Sequence, residues 1–284
     1  MNSTAYAARL GLSRGWMEFR ISLRSMDEVG FKLTFAASFA LVLYFQRDST
    51  VAGTTQSLAS VVLPSIIGMM VMAGSMLGAA AVLSVEREDG TLLRAKAIPN
   101  GMVGYFAAKT TATSLDTVIS VVVILGAGLI FVPELLSTRL TGWLALLGIV
   151  VLGLLATLPW GAMVGASVKN PQSAFGLVML PVGGLAAISG IFYPITALAG
   201  WVQSVAQVFP VYWLGHGMRW ALLPDSAAAA EIGGSWRPLE AMAVLLAWAV
   251  VGLLVVPPVL RRMARRESGS AVAERRHQAM QRYG

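Results

Sequence analysis

Apolar and polar positions alternate along this chain in long blocks rather than in short periods. Six blocks stand out, at 31–45, 58–85, 111–132, 142–168, 172–193 and 239–260. Most approach 20 residues, the length at which a helix crosses a hydrocarbon layer about 30 Å thick. The pattern predicts an all-α integral membrane protein with six transmembrane helices. Pro64, Pro159 and Pro181 fall inside the second, fourth and fifth blocks, and each permits a kink. The pair Pro257-Pro258, with Arg261-Arg262 behind it, is read as the stop of the sixth. Gly74/Gly78 and Gly161/Gly165 are spaced for close helix approach.

Three segments depart from this plan. Residues 1–30 form an amphipathic surface helix, with Leu12, Trp16, Phe19, Leu23 and Met26 recurring at steps of four and three on one stripe. Arg14 and Glu18 point away from that stripe. Residues 194–237 are too long for a turn and break at Pro194, Gly200 and Pro210. They are read as a re-entrant outer hairpin of two short helices, with Trp201, Trp213, Trp220 and Trp236 near the interface. His216 is read as a satisfied interfacial residue. Residues 261–284 form a basic cytoplasmic tail facing anionic headgroups.

Charge sets the orientation. Only 12% of residues are charged, about half the share of a soluble domain. Placing both termini, the 84–116 loop and the 169 loop on one side gathers 17 of the 21 Lys and Arg there. The positive-inside rule makes that side cytoplasmic and the chain a multi-pass protein of the cell membrane. The net charge of +7 is thereby explained by topology, so no nucleic-acid partner is inferred. There is no Cys and only two His, His216 and His277, in separate regions. Thiolate chemistry is excluded, and no metal site is expected.

Catalytic patterns are also missing. The nearest approach to a phosphate-binding loop, Gly104 to Lys109-Thr110, is one residue short and lacks the second glycine. Neither G-x-S-x-G nor H-E-x-x-H occurs, so the chain is read as a non-enzyme. Asp116, about one turn inside the third span, pairs with Lys109 or caps a helix. No ionisable residue is expected deeper in a span, which disfavours an ion-driven carrier. Met69, Met72 and Met76 share one face of the second span. Their flexible thioethers suit either plain packing or a surface that accepts varied apolar ligands.

The densest polar run lies between the second and third spans, in a loop spanning 84–110. It reads EREDGTLLRAKAIPNG at 86–101, with Lys109 beyond it. That run resembles the first cytoplasmic loop of ABC type-2 (ABC-2) permeases. The string LPVGGLAAISGIFYPITALAGWVQSVAQVFPVYWLGHGMRW at 180–220 is similar to the family's fifth span and outer hairpin. Within that family the chain looks most like drug-resistance-type exporter subunits.

The resemblance carries expectations of its own. Residues 86–101 would form a coupling helix docked into a separate ATPase subunit. Glu86, Arg87, Glu88 and Asp89 would make its charged contacts, Gly90 and Thr91 would punctuate it, and Leu92 and Leu93 would be apolar anchors. ATP and Mg would sit on that partner, with no cofactor in this chain. A second permease copy or a paralogue would complete the unit. The path for a lipophilic solute would run along the second and fifth spans, at Met69, Met72, Met76, Phe175 and Met179. The reading from another class is an ion-gradient-driven secondary transporter or channel without an ATPase.

Overall fold

The computed structural model describes residues 3–51, 56–168 and 170–266. Residues 267–284 of the expected tail, and Lys169, lie outside them. Ten helices follow in order: α1 Ser3–Ser22, α2 Met26–Gln46, α3 Leu58–Glu88, α4 Thr91–Lys96 and α5 Gly101–Leu129, then α6 Leu140–Ser167, α7 Pro171–Ile188, α8 Gly200–Ala206, α9 Pro210–Leu222 and α10 Pro238–Arg266. Short 3₁₀ turns join some of them. Among the described residues, the only bridge of β type is an isolated antiparallel pair, Thr50 with Ser57. Six helices, α2, α3, α5, α6, α7 and α10, are long and apolar enough to cross a membrane. The protein is an all-α integral membrane protein.

α3 is the hub, touching α2, α5, α6, α7 and α9. Small residues let it be crowded. A Cβ added at Gly165 would lie 2.6 Å from the Ala80 carbonyl oxygen, and Gly161 meets the Met76 backbone in the same way. Gly74 and Gly78 sit against Thr117 and Thr113 of α5. Backbones this close gain dispersion contacts that two leucine-covered helices in lipid cannot. The buried Ser75 and Thr157 hydroxyls, 2.6 Å apart, add a polar tie between α3 and α6.

α9 is the unexpected element. Twelve of its thirteen residues are buried, enclosed by α3, α6 and α10. Gly68 makes the crossing possible, because a Cβ there would lie 2.7 Å from the Gly215 nitrogen. Trp213 is buried inside the molecule, not at a surface, and its indole N–H donates to the Gln207 carbonyl at 2.6 Å. Trp201, by contrast, is largely exposed.

Several boundaries move. α2 begins at Met26, not near 31, because the Ser25 hydroxyl caps it and Asp27 and Glu28 occupy its first turn. α5 begins at Gly101 rather than near 111, since the charge of Lys109 is paired and no longer argues for a loop. α7 ends at Ile188, where Gly190 takes φ +66°. α10 passes straight through Pro257-Pro258 to Arg266. A proline inside a helix costs about 3 kcal/mol. Val256 and Leu260 offset that by packing with Leu83, Leu92, Ala95, Tyr105 and Ala166 in a second apolar cluster.

Candidate functional site

The polar run at 86–101 is not one helix. α3 extends through it as far as Glu88, Gly90 turns the chain at φ +79°, and α4 is a six-residue helix. The Asp89 carboxylate accepts from the Thr91 N–H at 2.7 Å and so caps α4. Leu92 is buried in the chain's own second cluster, while Leu93 is half-buried. Arg87 is turned inward as well. It donates to the carbonyls of Ala166 at 2.6 Å, Val168 at 3.1 Å and Gly165 at 3.3 Å. Those are the acceptors left over where α6 ends, so Arg87 caps α6. Glu88 is half-buried and Asp89 exposed.

Glu86 takes part in a network binding three helices. Lys109 of α5 bonds Glu86 of α3 at 2.5 Å and Glu18 of α1 at 2.8 Å. Glu18 also accepts from Arg14 at 2.8 Å. Burial alone would raise the Glu18 pKa, but the hydrogen bonds and charges of Lys109 and Arg14 outweigh it and hold it low. α1 is pressed onto α5 by Gly11 against Gly104 and Gly15 against Ala108. Leu12 and Trp16 stay about half exposed, whereas Phe19 of the same stripe is buried, so the stripe is divided between the surface and the bundle. The 104–110 string lies inside α5, packed under α1, and forms no phosphate loop.

Asp116 does not pair with Lys109. It bonds Lys32 of α2 at 2.8 Å and accepts from the Ser22 hydroxyl at 2.9 Å. This pair closes one end of a cavity of about 730 Å³ bordered by α1, α2, α3, α5 and α7. Four carboxylates line it, Glu18, Asp27, Glu28 and Asp116, against the single ammonium of Lys32. Its remaining wall is apolar and includes Phe19, Phe31, Phe35, Leu77, Phe175 and Met179. Phe175 and Met179, expected along the solute path, lie on this wall. Met69 and Met72 instead point into the main core, and Met76 backs onto Gly161 of α6. Met70 is the methionine of α3 that reaches the cavity.

The sequence model of a family described as "ABC-2 family transporter protein" matches residues 29–256. The chain belongs to the ABC-2 transporter family. Members of this family are membrane components of transporters, and this ABC-2 protein is a multi-pass membrane component of that kind. No curated protein matches its sequence.

The ABC-2 protein also holds a buried polar cluster that the sequence reading missed. Arg219 of α9 bonds Glu231 at 2.5 Å and donates to the Ser65 hydroxyl of α3 at 2.6 Å. His216 lies 2.9 Å from the same carboxylate through Nδ1, and its Nε2 accepts from the Arg237 N–H at 3.1 Å. That acceptor role fixes the proton on Nδ1, which donates to Glu231. Burial would raise the Glu231 pKa, but the Arg219 charge and the bonds from both partners bring it down to about 2. Gly233 and Gly234, with φ of +75° and +63°, give the turn that returns Arg237 to α9. One signal was available: His216 and Arg219 are three apart on a helix and so share a face.

Proposed function

We propose that this chain is the permease subunit of an ATP-driven exporter that moves an amphipathic or lipophilic solute out of the cell. The observation that carries the reading is the 730 Å³ cavity, aromatic along its wall and acidic at one end. A pocket of this volume with few polar groups at one point is the usual form of a small-molecule site. Its excess of carboxylates over basic groups favours a solute bearing a cationic group. Glu18 links this wall, through Lys109, to Glu86 at the end of α3.

In this reading the α3–α4 corner meets a separate ATPase subunit, which holds ATP and Mg. Asp89, Leu93 and Arg94 are the groups placed for that contact, and Leu92 and Arg87 support the corner from within. Two permease copies, or one and a paralogue, complete the unit. The termini and α4 lie in the cytoplasm, in keeping with the positive-inside rule. The α8–α9 pair then enters from the outer side as a re-entrant hairpin. Binding of ATP would shift the two bundles between alternative packings that open the cavity to opposite sides.

The test is purification of the chain from its native membrane with an assay for bound ATPase activity. A co-purifying ATPase, lost on Asp89→Arg or Leu93→Glu while the bundle stays folded, is the expected result. A chain that moves solute on an ion gradient, with no ATPase in the assembly, would overturn the proposal.

A further inference from the structure

A second cavity, of about 520 Å³, lies between α3, α5, α6 and α10. It is separate from the acidic one and opposite to it in charge. Its deep wall is apolar, with Phe106, Leu154, Leu158 and Val256. Its polar end carries Lys96, Lys109, Arg261 and Arg265, and no carboxylate lines it. Lys109 is held by Glu18 and Glu86, whereas Arg261 and Arg265 are exposed at the end of α10. Lys96 donates to the Arg265 carbonyl at 3.3 Å, which ties α4 to α10 at the mouth. Along its length the cavity is rimmed by Val103, Leu155 and Leu253, which are 37%, 46% and 52% exposed on the outer faces of spanning helices.

We infer that this cavity is a binding site for one anionic phospholipid of the surrounding bilayer. The acyl portion lies in the apolar slot, and the phosphate sits between Arg261 and Arg265. Three observations select this occupant. The slot is rimmed by side chains that face the membrane, so a lipid reaches it by lateral movement. Its basic groups stand at the level where α3 and α10 end and α4 begins, which is headgroup depth. The basic residues at this end, Arg261 and Arg265 foremost, disfavour cationic solutes and favour anionic over zwitterionic headgroups. The bound lipid holds the end of α10 against α4, and so steadies the corner from the side opposite Arg87. None of this depends on the direction or the cargo of transport.

The experiment is lipid titration of the full chain, purified in detergent, followed by native mass spectrometry. The probes are dioleoylphosphatidylglycerol, dioleoylphosphatidylcholine and inorganic phosphate. Phosphatidylglycerol should saturate at one per chain, and neither phosphatidylcholine nor inorganic phosphate should displace it. Each arginine near a charged surface contributes about fivefold in affinity, so R261Q/R265Q should bind about 25-fold more weakly. R261K/R265K should retain binding, and V103W, which narrows the exposed mouth, should reduce it. Equal affinity for both lipids, unchanged binding by R261Q/R265Q, or full occupancy by phosphate alone would overturn the inference. If R261Q/R265Q fails to fold, V103W and R261K/R265K decide it, and unchanged binding by V103W or lost binding by R261K/R265K counts against the site.

Discussion

Gly165 has no side chain, and the absence is structural. Valine there would press its Cβ to 2.6 Å from the Ala80 carbonyl oxygen and 2.9 Å from its Cα, neither of which can move without α3. Overpacking of this kind costs about 1–3 kcal/mol. Gly165→Val is therefore expected to lower the melting temperature in detergent by several degrees, while Gly148→Val, where nothing lies within 4 Å, leaves it nearly unchanged. Glu231 makes a second prediction at this scale. Its carboxylate is held at about 2, below an ordinary value of 4.5, so ionisation favours the folded state. That stability is fully present above about pH 4.5 and is lost as pH falls toward 2. Melting temperature plotted against pH should show this acid limb in the wild type and lose it in Glu231→Gln, which should also be less stable at neutral pH.

At the level of elements, the α3–α4 corner has an inner and an outer half. Leu92→Ala removes a buried side chain and should destabilise the bundle itself by about 2–5 kcal/mol. Arg87→Ala should cost about 1.5–3 kcal/mol by uncapping α6. Thermal melts of the purified chain check both, and Asp89→Arg, which removes the cap of α4, should cost less, about 0.5–2 kcal/mol. How far these elements could be read from sequence follows from what a sequence records. Apolar length is local, so all six spanning helices were legible. Pairing is not local. Arg219 reads as a water-facing charge until Glu231, twelve residues away, is folded over it. Lys109 reads as the end of a loop until α1 and α3 bring two carboxylates to it. Pro257-Pro258 reads as a stop because the packing of Val256 and Leu260 on α4 is invisible in the string. The methionine face of α3 shows the same limit: periodicity identified one face, but not that it backs onto the core rather than the cavity.

For the whole molecule, the two cavities divide the bundle by sign, one acidic and one basic, and α5 lies between them. Lys109 is the residue of α5 that belongs to both stories: it lines the basic cavity, and it grips Glu18 on the wall of the acidic one. Its other partner, Glu86, stands one turn above the corner where α3 ends. α3 lines the acidic cavity directly and is also tied through Lys109 to Glu18 on its α1 wall, so in the proposed complex a displacement applied at that corner has two routes to the cavity, one of them a single ammonium group. In mechanical terms the proposed coupling makes Lys109 a clutch, engaged by two carboxylates on different shafts. Lys109→Met keeps the length of the side chain and releases both. In the proposed complex with a separate ATPase, once reconstituted, it should leave nucleotide hydrolysis turning over while solute transport falls, an engine running out of gear.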